Sequence, residues 1–175
     1  LVAKQAAQID ILSSGRLCLG IGVGWNEVEY QGLNEDFSNR GIRSEEQIAL
    51  LRALWSASKI DFKGRWHNIE NAGIKPLPVQ RPIPIWIGGY NEATLKRIGR
   101  IGDGWIVFRP PNNETGEAIK RVRSYAQAAG RNPAIIGIET QISLGREPEA
   151  SWQAYVDSWR TLGAQTLYVN TMSMG

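Results

Sequence analysis

Short apolar runs alternate with stretches of helical periodicity along most of this chain. Five of the runs predict strands, at about residues 17–23, 84–88, 105–108, 136–142 and 166–170. Helical spacing predicts helices over residues 1–12, from a capping box at 44–47 onward, and over 91–101, 114–129 and 149–162. Glycine follows each of the last three helices, at Gly102, Gly130 and Gly163, where we expect left-handed caps. Because parallel strands need crossover connections, this alternation predicts an α/β fold with a mostly parallel sheet.

The sequence between about residues 24 and 83 interrupts the alternation. Gly24–Asn39 is rich in Asn, Glu and Asp and is predicted to be a long irregular segment. Ile60–His67 predicts a hairpin that turns at Lys63-Gly64, and the four prolines of Pro76–Pro84 exclude regular structure. A closed α/β barrel needs eight strands and about 250 residues. We therefore expect a single α/β domain over 1–175, too short for a complete barrel, with a loop and hairpin insertion at about 24–83.

Composition narrows the class of protein. The 175 residues are 42% hydrophobic and 21% charged, which is typical of a globular domain with a substantial core. The net charge of +3 is modest, and the basic residues are scattered among acidic ones, which argues against a nucleic-acid partner. The single cysteine, Cys18, falls in a predicted strand as a small hydrophobic residue, and this fits a reducing, cytoplasmic setting. No apolar stretch reaches the roughly 20 residues of a membrane span, so no membrane partner is expected.

Two glycine-rich segments follow predicted strands. Gly20–Asn26 contains three alternating glycines, and Gly88-Gly89 comes directly before a predicted helix. Backbone amides exposed at such a strand end and at the next helix start bind phosphate-bearing ligands, although tight turns alone would also account for the glycines of either segment. Trp25 occupies the third glycine position of the dinucleotide fingerprint, which disfavours a Rossmann site. His67 has no ligand partners at metal-binding spacing, so no metal is expected.

Five motifs in order resemble the bacterial luciferase-like monooxygenase family, in particular its deazaflavin-dependent members. The motifs lie at Asp10–Leu17, Gly20–Trp25, Phe62–Gly64, Pro76–Gly89 and Gly102–Trp105. The resemblance implies a (β/α)8 TIM barrel that binds FMN or the deazaflavin coenzyme F-420 (F420 below) at the carboxyl ends of its strands. On this basis residues 1–12 correspond to the third barrel helix and the five strands to barrel strands 4–8. The first three strands are then absent, and a partial barrel is expected.

The resemblance also implies cofactor-binding residues. Gly22, Gly24 and Asn26 match positions beside the isoalloxazine ring, and Trp25 would stack on it or wall the pocket, unless it is a core residue. The phosphate or its linker would lie near the second glycine segment, and a basic residue would contact the cofactor tail; these positions are Gly88, Gly89, Tyr90, Asn91 and Arg109. Asn91 is equally well explained as a helix N-cap and Arg109 as a solvated side chain. The cofactor itself would carry hydride transfer or monooxygenation of a small organic substrate, so no catalytic residue is assigned.

Two alternatives stay open at this stage. The shortened barrel could be a non-catalytic flavin-binding or assembly protein, or the chain could be an open sheet of the flavodoxin type. Strands that neighbour one another in chain order favour the barrel, whereas a reversal favours the open sheet. An uncovered sheet edge exposes unpaired backbone groups, so we expect a homo-oligomer that covers it.

Overall fold

The computed structural model describes residues 1–145 and 148–172, which form two compact units, Leu1–Ile85 and Trp86–Gly175. The helices are α1 (Val2–Leu12), α2 (Glu27–Gly32), α3 (Arg40–Ser56), α4 (Glu92–Ile101), α5 (Asn113–Ala128) and α6 (Trp152–Thr161). The strands are β1 (Leu19–Ile21), β2 (Ile60–Lys63), β3 (Asn68–Ala72), β4 (Ile85–Gly88), β5 (Gly104–Val107), β6 (Gly137–Ser143) and β7 (Thr166–Asn170). Short 3-10 helices cover Phe37–Asn39, Pro133–Ile135 and Glu149–Ser151.

The fold class predicted from the sequence is confirmed. Five parallel strands form a partial barrel in the order β1-β4-β5-β6-β7, and β2 and β3 form a separate antiparallel pair. The order follows the chain without a reversal, so the flavodoxin-type alternative is wrong. Each crossover within the second unit contains one of the helices α4, α5 and α6, as a parallel sheet requires.

In the first unit, α1 and the hairpin β2–β3 pack against α3. Ala3, Leu50 and Leu54 are buried together, and the indole Nε1 of buried Trp55 donates to the Ala3 carbonyl oxygen at 2.9 Å. The predicted capping box is wrong, because α3 begins four residues earlier, at Arg40. Ser44 therefore lies inside the helix, buried, and its hydroxyl donates to the Gly41 carbonyl oxygen.

Glu46, the third residue of the predicted capping box, instead holds the turn of the hairpin. Its carboxylate accepts the backbone amides of Arg65, Trp66 and His67 at 2.7–2.9 Å, and His67 Nδ1 lies 2.8 Å from Glu46 Oε1. These donors stabilise the ionised form and hold the pKa of Glu46 at about 2, although partial burial acts in the opposite direction. A Cβ on Gly64 would lie 2.3 Å from this carboxylate, so glycine lets Glu46 approach the backbone of the turn.

A second buried carboxylate joins α1 to the proline-rich segment. Asp10 is fully buried, and its two oxygens accept the Gln80 backbone amide at 2.9 Å and the Gln80 side-chain amide at 2.7 Å. The same Gln80 nitrogen donates to the Leu17 carbonyl oxygen at 2.8 Å. Burial alone would raise the pKa of Asp10, but the hydrogen bonds from Gln80 outweigh it and lower that pKa. The Asp10–Gln80 contact therefore fixes the entry to β1.

In the second unit, the two faces of the sheet differ in composition. One face carries buried apolar side chains, namely Ile87, Trp105, Val107, Ile138 and Ile142. On the opposite face, which we call the inner face, the Trp86 ring lies across Gly104 and Gly137. A Cβ on these glycines would meet that ring at 2.2 and 2.4 Å. The inner face therefore depends on glycine wherever the Trp86 ring covers the backbone.

Several local predictions were wrong. Gly130 and Gly163 have φ of +73° and +85° and end their helices as expected, but Gly102 has φ of −79°, so the cap after α4 is extended. The segment Gly24–Asn39 contains α2 and a 3-10 helix, each capped by a side chain. Cys18 is exposed and precedes β1, and it is not a buried hydrophobic residue. Hydrophobic pattern alone could not show that β1 is only three residues long.

Candidate functional site

The second unit places four predicted site residues at one end of β4. Gly88 ends the strand, and Gly89 has φ of +124°, a conformation that other residues rarely adopt. Asn91 is the N-cap of α4, and its Oδ1 accepts the Thr94 amide at 2.8 Å. The amides of the first helical turn beyond this cap have no partner inside the helix. A Cβ on Gly88 would meet nothing within 4 Å, so open space lies directly over this backbone.

Trp105 on β5 holds the loop after β4. The side chain is fully buried, and its Nε1 donates to the Gly89 carbonyl oxygen at 2.9 Å. Its ring also packs edge-on against the Tyr90 ring at a centroid distance of 5.6 Å. Trp105 is therefore a core residue, and its hydrogen bond also positions the loop that carries the candidate phosphate site.

Arg109 joins the same cluster from the loop after β5. Its guanidinium lies 4.4 Å from the centroid of the Tyr90 ring, and its Nη1 is 2.6 Å from Glu114 Oε1. The Arg109 side chain is 43% exposed, so it is neither fully solvated nor buried. The ion pair with Glu114 neutralises much of the charge that Arg109 could offer to an anion. The stacked, half-exposed guanidinium nevertheless lies beside the loop that carries Gly89 and Tyr90.

Two further features set the electrostatics at the start of α4. Burial raises the pKa of the Tyr90 hydroxyl, although the Phe108 backbone amide and the Arg109 guanidinium act in the opposite direction. Glu92 adds a negative charge to the first turn, but it accepts a hydrogen bond from Tyr125 and lies 3.9 Å from Arg121. The site therefore offers amide donors and a neutral phenol, with its acidic residue directed into other contacts.

The first unit places Gly22, Gly24, Trp25 and Asn26 after β1. Gly24 has φ of +75°, and a Cβ there would lie 3.3 Å from the Tyr30 ring, whose hydroxyl donates to the Val23 carbonyl oxygen. Gly22 and Gly24 line a cavity of about 280 Å³ within this unit. Its other lining residues are Val23, Glu29, Tyr30, Leu33, Glu35 and Arg43, the last two of which form an ion pair.

Trp25 and Asn26 differ in their contacts with the rest of the first unit. Trp25 is 87% exposed, so the interpretation of it as a core residue is wrong, and its indole presents a free face. Asn26 caps α2, since its Oδ1 accepts the Val28 amide at 3.2 Å and its Nδ2 donates to Glu29 Oε1 at 3.1 Å. Both polar atoms of Asn26 thus already have protein partners.

Each unit therefore brings its own predicted residues together. Gly88, Gly89, Tyr90, Asn91 and Arg109 form one cluster in the second unit, and Gly22, Gly24, Trp25 and Asn26 form another in the first. The meeting of the two clusters in a single pocket stays a prediction. No group of three potential metal ligands occurs among the described residues, and none of the described helices has the length and apolar character needed to cross a membrane.

Sequence reasoning missed a polar row on the inner face. Glu139 and Gln141 alternate with buried Ile138 and Ile142 along β6, so they share the face that carries Trp86. The sequence did contain a signal for this row, because polar and apolar residues alternate with a period of two in Gly137–Ser143. A single-sided polar pattern in a strand that parallel neighbours flank on both sides is unusual, because such strands are mostly apolar on both faces.

Comparison with known proteins identifies the family. A family described as luciferase-like monooxygenase matches residues 1–172. An F420-dependent glucose-6-phosphate dehydrogenase from Mycolicibacterium fortuitum is 35% identical over 156 residues, covering 85% of this chain and 46% of the relative. The chain spans about half the length of the curated relatives it matches.

Two solved structures share the fold. Monooxygenase RslO1 from Streptomyces bottropensis superposes with a TM-score of 0.76 at 20% identity, covering 98% of this chain and 66% of that one. An F420-dependent secondary alcohol dehydrogenase, solved with an F420-acetone adduct, gives a TM-score of 0.76 at 17% identity, covering 97% and 68%. Likeness at these identities shows the fold alone. The family match over nearly the whole chain, together with the five ordered motifs, shows that the protein belongs to the luciferase-like monooxygenase family.

Proposed function

We propose that this protein is an oxidoreductase that binds the deazaflavin coenzyme F420, with FMN as the alternative cofactor, and acts on a small organic substrate. Family membership over residues 1–172 carries the proposal. F420 is preferred because curated relatives at 32–35% identity are F420-dependent glucose-6-phosphate dehydrogenases. When bound, such a cofactor supplies hydride transfer at its ring, and the protein supplies binding and orientation.

The residues at the end of β4 fit the phosphate-bearing part of such a cofactor. The open backbone at Gly88 lets an anion approach, and the first amides of α4 point toward it with the positive end of the helix dipole. Asn91 satisfies the Thr94 amide and so leaves the earlier amides for the ligand. We infer that Arg109 contacts the cofactor tail after partial release from Glu114.

For the ring of the cofactor, we infer a contribution from the segment after β1. Exposed Trp25 offers an indole face for stacking, which suits a flat aromatic ring. Gly22 and Gly24 leave the backbone accessible, and Asn26 would donate Nδ2 to a ring carbonyl oxygen on leaving Glu29.

We further propose that a homo-oligomer covers the terminal strands of the sheet. β1 and β7 end the strand order, and β7 exposes Tyr168 and Val169. Exposed apolar edge strands promote association unless another element covers them. Light scattering at several protein concentrations tests this; a monomer at every concentration would contradict it.

Cofactor titration tests the function. The wild-type protein is titrated with F420 and with FMN, and the fluorescence of each cofactor is followed. Gly88→Ala is expected to fold but to bind at least about 10-fold more weakly, because its methyl group fills the space over the strand end. Gly32→Ala is the control, since a Cβ there also meets nothing within 4 Å and the residue lies outside both clusters. Binding of neither cofactor by the wild type would overturn the proposal and favour a non-catalytic role.

A further inference from the structure

A carboxylate lines the cavity that lies beside the glycines of the first unit. Glu29, on α2, lines this cavity of about 280 Å³ together with Gly22 and Gly24. A Cβ on Gly22 would meet nothing within 4 Å, so the backbone is open on this side of the cavity. Two of the predicted ring-binding residues and one carboxylate therefore share a cavity within a single unit.

Glu29 has more accepting capacity than the protein itself uses. The two other charged residues of the cavity lining, Glu35 and Arg43, form an ion pair with each other. Among the described residues Glu29 forms no ion pair, and its one side-chain hydrogen bond comes from Asn26, whose Nδ2 donates to Oε1 at 3.1 Å. A carboxylate accepts at about four sites on its two oxygens, so Glu29 can accept further donors from a ligand.

Capping of α2 does not explain the contacts of Glu29. Asn26 Oδ1 already accepts the Val28 amide at 3.2 Å, and Glu27 also places an acidic side chain in the first turn. In a capping box, a glutamate at the position of Glu29 accepts the backbone amide of the N-cap residue. Glu29 instead accepts the side-chain amide of Asn26. An amide donor and a carboxylate acceptor therefore lie side by side where Glu29 lines the cavity.

The rings of flavins and deazaflavins carry the complementary pattern of polar groups. Their imide edge places an N–H donor between two carbonyl oxygens, so it pairs with an acceptor and a donor that lie side by side. The Asn26 amide would donate to one carbonyl oxygen, and the imide N–H would replace Asn26 at the Glu29 carboxylate. The one protein hydrogen bond that breaks is thus replaced by two, and neither side chain is left without a partner.

We propose that Glu29 is a cofactor-binding residue that accepts the imide N–H of the ring. This inference rests on the proposed function, because it requires that a deazaflavin or a flavin binds. It applies to F420 and to FMN alike, since both rings carry the imide edge. A hydrogen bond to a charged acceptor is about twice as strong as one between neutral groups, so Glu29 contributes more to ring binding than Asn26 does.

Carboxyl labelling tests the position of Glu29 in the unaltered protein. The wild-type protein is treated with a water-soluble carbodiimide and glycine methyl ester, and labelling of each glutamate is measured by peptide mass spectrometry. We expect F420 to slow labelling of Glu29 several-fold. Labelling of Glu70, which is exposed on β3 and belongs to neither cluster, should not change. Unchanged labelling of Glu29 in protein saturated with F420 would overturn the inference and leave the proposed function standing.

Methylation of the imide nitrogen tests the hydrogen bond itself, because it removes the donor from the ring. The wild-type protein is titrated with F420 and with F420 methylated at this nitrogen, and cofactor fluorescence gives each affinity. We expect the methylated form to bind at least about 10-fold more weakly, as for the loss of one hydrogen bond to a charged group. FMN and 3-methyl-FMN are used in the same way if FMN proves to be the cofactor.

Two variants separate this contact from simple crowding by the methyl group. Glu29→Ala removes the acceptor, so its affinities for the two forms should lie within about 3-fold of each other. Glu27→Ala removes an acidic side chain from the same helical turn, outside the cavity lining, and should keep the wild-type ratio of affinities. A wild type that binds both forms equally, or a Glu29→Ala protein that keeps the wild-type ratio, would overturn the inference alone. A wild type that binds neither F420 nor FMN would overturn the proposed function together with it.

Discussion

Replacement of Trp105 by phenylalanine tests how the fold holds the candidate phosphate loop. The indole Nε1 donates to the Gly89 carbonyl oxygen at 2.9 Å, and the ring is fully buried. Loss of the hydrogen bond leaves that carbonyl without its protein donor, at a cost of about 1–3 kcal/mol. The smaller ring also leaves a cavity that costs about 1 kcal/mol more. We therefore expect Trp105→Phe to lower the free energy of unfolding by about 2–4 kcal/mol.

Urea unfolding followed by circular dichroism measures this effect. The urea concentration at the midpoint of unfolding should fall. The slope of the unfolding free energy against urea concentration should stay constant, because the same surface is exposed on unfolding. Trp25→Phe makes the same chemical change at a side chain that is 87% exposed, so its stability should stay within about 0.5 kcal/mol of wild type. The reasoning is refuted if Trp105→Phe is as stable as Trp25→Phe. F420 affinity, measured in the same variants under native conditions, should be weaker in Trp105→Phe because Gly89 is no longer held.

Three other substitutions probe the framework around the sites. The folded-state pKa of Glu46, about 2, lies below its ordinary value of 4.5, so this group stabilises the fold fully above pH 4.5 and progressively less as the pH falls toward 2. Glu46→Gln should remove the loss of stability that protonation of Glu46 causes between pH 4.5 and about 2. An acid-unfolding curve identical to that of the wild type would contradict the carboxylate's role. Asp10→Ala leaves two Gln80 donors unpaired and should cost about 3 kcal/mol in urea unfolding, whereas a change below about 1 kcal/mol would contradict the account. Gly104→Ala forces a methyl group to within 2.2 Å of the Trp86 ring, so near-ultraviolet circular dichroism should show that the ring has moved; an unchanged spectrum would argue against the contact.

The sequence predicted the repeating part of the fold well, because local signals and tertiary structure agree there. β7 was predicted with the bounds it has, Thr166–Asn170, and the ends of α5 and α6 followed from Gly130 and Gly163. The start of α3 was wrong because Glu46 has tertiary partners, three amides of the hairpin turn, that a local capping pattern cannot reveal. Tertiary contacts of this kind routinely override local preference.

The candidate site was predictable only in part. Glycine runs and an N-cap are local signals, so Gly88, Gly89 and Asn91 could be singled out and do lie together. The polar row of Glu139 and Gln141 was missed, because the face that a strand residue shares with Gly88 depends on strand register. Trp25 was misjudged as a possible core residue because apolar character alone does not tell an exposed loop position from a buried one.

Amide hydrogen exchange with and without F420 tests the central claim most directly, because it reports which backbone amides the cofactor covers. If F420 binds at the end of β4, exchange should slow at Gly89, Tyr90, Glu92 and Ala93, the amides around the start of α4. Amides of the β2–β3 hairpin, whose residues belong to neither cluster, should exchange at the same rate with and without the cofactor. Unchanged exchange across residues 88–93 in protein saturated with F420 would contradict the account.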